Sequence, residues 1–251
     1  MNDLQDKVVL VTGAGRGIGR ALAQAFAEHG AHVAANDITP VNLDPAVAAM
    51  AKGSGAVRAW VADVSNKMAV QSMIEEVRDA FGRIDVLVNN AAVEPHASLL
   101  KMDEWDWDRT LGVNLKGPFL TSQSVGRVMA DQGGGVIVNI ASVAGRAHGL
   151  AERAAFVASK TGLIGLTRES ARELAAYNIR VNAVCPGVIE TEGNRGTRGD
   201  EAEMSRWLNE IPLRRLGRPE DMVGLVLFLC SEAAAYITGQ AFHVDGGVVM
   251  V

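Results

Sequence analysis

The sequence predicts a doubly wound α/β fold, a single domain on a parallel sheet of about seven strands with helices on both faces. Three observations predict it. Short β-type runs alternate along the chain with longer helical patterns, the order that builds strand–helix–strand units with right-handed crossovers. Several runs are almost continuously apolar, as strands covered on both faces are. A glycine-rich turn stands directly between the first run and the first helical pattern.

The elements follow in chain order. "KVVLVT" (7–12) reads as the first strand and leads into "TGAGRGIG" (12–19). Ile18, Ala21, Leu22, Ala25 and Phe26 then share one helical face, and Gly30 ends that helix. "AHVAAN" (31–36) is the second strand, with Asp37 at its end, and "AVRAWV" (56–61) the third, followed by "ADV" (62–64). "IDVLVN" (84–89) is the fourth and runs into "NNAA" (89–92). "GVIVNI" (135–140) is the fifth, with Ser142 just beyond it. "AAFVASK" (154–160) opens a helix that is apolar on more than one face and therefore needs cover on both sides. "IRVNAV" (179–184) and "AFHVD" (241–245) complete the set. Between them, residues 186–207 are rich in glycine and charge and read as irregular, with a flexible substrate lid over about 188–208. No linker, repeat or low-complexity tract divides the 251 residues.

Composition excludes several classes of function. With 48% hydrophobic and 21% charged residues, the chain has material for a full core. A net charge of −5 and no Lys/Arg run argue against nucleic acid. No apolar stretch could cross a bilayer, "VGLVLFLC" being far too short, and the N-terminus does not read as a secretory signal. Cys185 and Cys230 belong to no metal-ligand spacing, so no metal is expected, and two reduced thiols fit a cytoplasmic protein.

The glycine turn has the context of a dinucleotide cradle. Gly13 permits the tight turn, and Gly17 and Gly19 remove side chains where a diphosphate approaches and where helix meets sheet. The helix N-terminus offers free N–H groups to the phosphates. Asp37, eighteen residues after Gly19, can accept from both ribose hydroxyls and repels a 2′-phosphate, while Ile38 supplies no cation for one. The cofactor expected is NAD rather than NADP, with Arg16 the residue that weighs the other way.

Taken together, these segments resemble the short-chain dehydrogenase/reductase family over nearly the whole chain. "TGAGRGIG" is similar to its TGxxxGxG turn, "NNAA" to NNAG with Ala92 in place of glycine, and "PGVIET" (186–191) to its PGxxxT stretch. "GVNLKG", "NIASVAG", "ASK" and "ITGQAFHVDGG" (237–247) fall where further family segments do. The resemblance implies cofactor contacts at Arg16, Ile18, Asp63, Val64, Asn90, Ala91, Pro186, Gly187, Val188, Thr191 and Lys160. It implies a catalytic set of Ser142, which holds the substrate oxygen, Lys160, and Asn114 in a water relay. It also implies a homodimer or homotetramer.

The family's proton-transferring tyrosine lies four residues before the lysine, and here that position is Phe156. Tyr177 and Tyr236, the only tyrosines, cannot stand there. Phe156 and Lys160 are i and i+4 and share a face, but a phenyl ring carries no ionisable group. Three origins stand open. The chain is an engineered, inactivated Tyr→Phe form of a dehydrogenase. It is a natural member in which His148, Glu152 or a Lys160-bound water handles the proton, in redox or in lyase or epimerase chemistry. Or it is a silent, cofactor-binding regulatory protein.

The function expected is NAD-dependent interconversion of a secondary alcohol and a ketone, or a lactol and a lactone. Glu94, His96, Ser142, Arg146, His148, Arg153 and Arg195, with Glu152 and Arg198, are expected near the substrate. That many polar groups suit a sugar or hydroxy compound, with or without an anionic group, better than a steroid or fatty substrate, and arginine would suit a carboxylate, sulfonate or phosphate.

Overall fold

A computed structural model describes residues 4–50, 55–146, 150–192 and 201–250. Seven parallel strands form one sheet in the order β3-β2-β1-β4-β5-β6-β7. They are β1 (Val8–Thr12), β2 (His32–Asp37), β3 (Val57–Val61), β4 (Val86–Asn89), β5 (Gly135–Ile140), β6 (Ile179–Pro186) and β7 (Ala241–Val244). Every strand expected from the sequence is present.

Period-two alternation sorts the strands' side chains onto the two faces. Val9, Val11, Val33, Ala35, Val86, Val88, Val138 and Ile140 point to one face. There they meet α1 (Gly17–Glu28), α2 (Pro40–Met50) and α8 (Val223–Cys230) through residues such as Leu22, Phe26, Leu43 and Val226. Val8, Leu10, Ala34, Leu87, Ile137 and Val181 point to the other. That face is covered by α3 (Lys67–Phe81), α5 (Gly117–Asp131) and α6 (Ala154–Leu174), whose Met73, Ile74, Leu120, Met129 and Ala171 close the second layer. The inner strands β1, β2, β4 and β6 are buried almost throughout, which is why they read as unbroken apolar runs, whereas the edge strand β3 is half-exposed. Each fully buried large side chain contributes about 1.5–3 kcal/mol.

Strand order reverses between β1 and β4, and in such sheets a crevice opens at the carboxyl ends of the strands at this switch point. α4 (Glu104–Leu111) begins at an Asp103 cap and passes through a π-helical turn, Gly112–Lys116, directly into α5.

The segment read as irregular from 186 to 207 is not irregular throughout. Residues Glu201–Glu210 form α7. Met204, Trp207, Leu208 and Ile211 recur at i, i+3, i+4 and i+7 and give the helix an apolar face. Before it, Val188–Glu190 is pinned to the chain at Gly217: Glu190 N donates to Gly217 O and Gly217 N to Val188 O. The middle of the expected lid, 193–200, lies outside the described residues.

Candidate active site

The site assembles at the carboxyl ends of β1, β4, β5 and β6. At β1, Gly13 (φ 65°) and Gly17 (φ 55°) adopt the left-handed backbone that the turn requires. Gly19 is glycine for a different reason, since a Cβ there would overlap the Gly13 carbonyl and the Asn90 amide. Gly17 instead faces Thr191, whose Cγ2 would lie 3.2 Å from an added Cβ. The Gly17 side thus fronts the cleft, and the segment after β6 lies across it. Arg20 pairs with Glu192 at 2.7 Å over the same opening. A cavity of about 250 Å³ remains there, between Gly17, Arg20, Thr191 and Arg218. Arg16 and Ile18 flank the turn, Arg16 exposed.

The turn is tied down by groups that the sequence reading passed over. Thr12 Oγ1 donates to Val88 O and accepts from the N–H groups of Asn90 and Ala91. Asn90 Nδ2 donates to the carbonyls of Thr12 and Gly13. Asp37 closes the far side, its Oδ2 accepting from Gly15 N at 3.1 Å and its Oδ1 from Ile38 N at 2.8 Å. Each oxygen keeps a lone pair for a ribose hydroxyl. Asp63 Oδ1 is taken by Ser65, accepting from its N–H and its hydroxyl, beside buried Val64.

The expected catalytic residues converge next to this cradle. Ser142 starts a 3-10 turn, Val143–Gly145, and its Oγ accepts from Ala144 N at 3.2 Å. Its own proton is therefore available to an oxygen in the cleft. Gly145 lets that turn rest on α6, because a Cβ would come within 2.6 Å of the Lys160 carbonyl carbon. Lys160 is 3% exposed and donates from Nζ to Ile140 O at 2.7 Å. The same Nζ lies 5.7 Å from the centroid of the Phe156 ring, within cation–π range. Burial pushes the Lys160 ammonium down to about 8, opposed by the negative charge of Glu94 and then by Cys185. Burial pushes the Cys185 thiol up to about 11.

Asn114 sits in the π turn, fully buried, with its amide spent on other groups. Its Oδ1 accepts from Val93 N, and its Nδ2 donates to Val93 O and Ser159 Oγ. Ser159 in turn donates to Phe156 O. The side chain of Asn114 therefore ties the loop after β4 to α6. Below, a second polar chain crosses the sheet. Thr121 Oγ1 donates to Asn89 Oδ1, Asn89 Nδ2 to Asn139 Oδ1, and Asn139 Nδ2 to Thr167 Oγ1. It links α5, β4, β5 and α6 through fully desolvated groups, an arrangement that specifies one packing.

On the substrate side the expected residues separate. Glu94 and Arg153 meet in an ion pair, Nε to Oε1 at 2.6 Å. Arg146 is exposed and donates to Ala241 O on β7, and His96 is exposed in the loop after β4. Glu152 is exposed, with its backbone at φ 59°. His148, Arg195 and Arg198 lie outside the described residues. Pro186 ends β6, with Gly187 and Val188 following on the cleft side of the sheet end. Among the described residues no group of His, Cys, Asp and Glu is placed to hold a metal ion, and no helix is long and apolar enough to cross a membrane.

Comparison with known proteins places this geometry. A family model described as enoyl-(acyl carrier protein) reductase matches residues 13–249. A 3-oxoacyl-[acyl-carrier-protein] reductase FabG of Thermotoga maritima is 44% identical over 247 residues, 98% of this chain and 99% of that protein. The FabG of Staphylococcus epidermidis is 43% identical over 246 residues, 98% and 100% of the two chains. Among solved structures, a short-chain type dehydrogenase/reductase from Mycobacterium marinum superposes with a TM-score of 0.94 at 36% identity, covering 100% of this chain and 98% of that one. A Beutenbergia cavernae protein, assigned as an NAD(P)-dependent gluconate 5-dehydrogenase and holding NADP at low occupancy, superposes at 0.93 with 39% identity, covering 98% of each.

Proposed function

The chain belongs to the short-chain dehydrogenase/reductase family, and from that membership we propose an NAD-dependent oxidoreductase. It interconverts a secondary alcohol and a ketone, or a lactol and a lactone, on a small polar substrate, and Phe156 holds it in an impaired form. The observation that carries the reading is the meeting of Ser142, Lys160 and the Phe156 ring beside the glycine turn.

A nicotinamide bound in the cradle supplies or accepts the hydride. The close fit of Gly13 and Gly19 to their neighbours and the left-handed backbone of Gly17 suit a diphosphate on the N-terminus of α1. Asp37 would accept from the ribose, and Ile38, 63% exposed, offers a 2′-phosphate nothing. This favours NAD, whereas the Beutenbergia cavernae relative holds NADP. Ser142 Oγ donates to the substrate oxygen. Lys160, with one protein acceptor, keeps two N–H donors for the ribose. Phe156 fills the proton-transfer position with a ring that can neither give nor take a proton, a loss of about 10² to 10⁴ in rate. Residues 188–208 are read as the cover over the substrate. Exposed Trp105 and Phe119 on α4 and α5 suit self-association into a dimer or tetramer, and two buried free cysteines suit the cytoplasm.

The test is Phe156→Tyr, assayed by NADH absorbance on polyols, sugars and hydroxy acids. A gain of at least about a hundredfold on one substrate is expected; equal turnover by both forms refutes the assignment of Phe156. Conversion of substrate without net NADH points instead to a lyase or epimerase. Calorimetric titration is expected to give tighter binding of NAD than of NADP, and the reverse order removes the NAD assignment.

A further inference from the structure

Three described elements wall the cavity beside Gly17, and they are held in different ways. One is the first turn of α1, which brings Gly17 and Arg20. The second is the 3-10 turn Pro219–Met222 with Arg218 before it. Asp221 ties that turn down, its carboxylate accepting from Arg218 N at 2.7 Å and pairing with Arg215 at 2.6 Å. The third is residues 190–192, beyond the end of β6. Up to Glu190 backbone holds this segment as well. Glu190 N donates to Gly217 O and Gly217 N to Val188 O, and Ile189, 6% exposed, packs where Gly217 has no side chain. At Glu192 the contact is of another kind: a side-chain ion pair with Arg20, Oε1 to Nη2 at 2.7 Å, across the opening to α1.

Both partners are close to half exposed, 43% and 47%. An ion pair in water shifts an equilibrium by at most about fivefold and is screened by salt. It therefore adds little to the stability of the fold, and its position gives it a different use. A dinucleotide whose diphosphate rests on the N-terminus of α1 lies beside Gly17, and the pair joins the two walls that flank it there. Passage outward parts residues 190–192 from α1 and breaks the pair. Arg20 also neutralises Glu192, which would otherwise face the diphosphate as a like charge on a cavity that already carries Glu190 and Glu220.

We propose that Arg20 and Glu192 are positioning residues whose ion pair straps residues 190–192 to α1 over the bound dinucleotide and sets how fast the dinucleotide leaves. The pair touches no reacting atom and acts on release alone. This rests on the dinucleotide reading of the glycine turn but not on the choice between NAD and NADP, since both carry the diphosphate. A contact worth a few-fold suits the use: it slows release, yet it opens without disturbing the backbone bonds at Gly217.

The test times release directly. Stopped-flow fluorescence follows bound NADH as excess NAD displaces it, and NADPH is run against NADP in the same way. With the reduced nucleotide that binds more tightly, Arg20→Gln and Glu192→Gln are each expected to raise the dissociation rate about threefold to fivefold at low ionic strength. The double variant is expected to be no faster than the faster single one, because both substitutions remove the same contact. In 1 M salt, where the Debye length is about 3 Å, the unaltered protein and the variants should converge. A rate that Glu192→Gln leaves unchanged overturns the proposal; if Arg20→Gln alone accelerates release, Arg20 holds the phosphates itself. Effects that multiply in the double variant, or a gap that persists in 1 M salt, overturn it too. If neither nucleotide binds, the dinucleotide reading falls and the strap with it. If one binds and leaves at a rate indifferent to all three variants, only the strap falls.

Discussion

Restoring a hydroxyl at position 156 has a consequence that can be read without any substrate. The Lys160 ammonium lies 5.7 Å from the ring centroid and is 3% exposed. A phenol oxygen on that ring extends into the same space. With the ammonium over the ring face at 5.7 Å from its centroid, a para oxygen stands about 6 Å away, and at an effective dielectric of about 20 an ammonium and a phenolate attract by about 3 kcal/mol. That corresponds to about two pKa units and draws the tyrosine from its usual value of about 10 to about 8. The lysine moves the opposite way, above the value of about 8 that burial imposes beside phenylalanine, and the two titrate as a coupled pair. The assay is an ultraviolet difference titration of Phe156→Tyr against the Phe156 protein, which cancels Tyr177 and Tyr236. One tyrosinate equivalent is expected at an apparent pKa near 8, and Lys160→Met in the same background should send it up by about two units. A new tyrosine that ionises near 10 with Lys160 intact refutes the claim that this lysine acts on position 156.

Three further outcomes follow from the same geometry. Lys160→Met should raise stability near pH 7 by about 2 kcal/mol, since it removes a desolvation cost of about 3 kcal/mol and forfeits one bond worth about 1 to Ile140 O. The folded-state pKa is below the unfolded one, so the unfolded chain binds more protons between about 8 and 10.5 and the lysine form regains stability as pH rises through that window. Denaturant melts at pH 7 and 10.5 check both the size and the closing of the gap. Gly19→Ala should destabilise the fold by at least about 2 kcal/mol through overlap with the Gly13 carbonyl, measured by urea unfolding. Asp37→Asn removes the charge that accepts from Gly15 N and Ile38 N, and calorimetry should show NAD binding weakened by about tenfold or more and NADP binding not weakened.

The sheet was legible because burial on two faces writes itself as apolar runs, and all seven strands fall where those runs do. β6 runs on to Pro186 rather than stopping at 184 because Pro186 pairs with Val244 on β7, a partner far along the chain. The glycine turn, Asp37 and Ser142 were legible because each stands at a strand end, where one polar or glycine residue breaks a hydrophobic pattern; Lys160, inside α6, was legible through the "ASK" segment. Helix α7 was missed although Met204, Trp207, Leu208 and Ile211 carry its period. The glycine and charge just before it coloured the whole stretch. The buried chain from Thr121 through Asn89 and Asn139 to Thr167 had no signal of its own. A lone asparagine in a strand says nothing until register sets Asn89 opposite Asn139. The Glu94–Arg153 pair is a contact between distant segments, and nothing in either segment names the other. Asn114 was legible by position, yet its bonds to Val93 and Ser159 belong to the packing.

The π turn at Gly112–Lys116 is one residue more than an α-helix would hold over the same span. Excising that residue would turn everything after it by about 100°. Leu120, Val125 and Met129 would then swing away from the sheet, and Asn114 would leave Val93. A deletion inside Gly112–Lys116 therefore disturbs the packing of all of α5, where a substitution disturbs one contact.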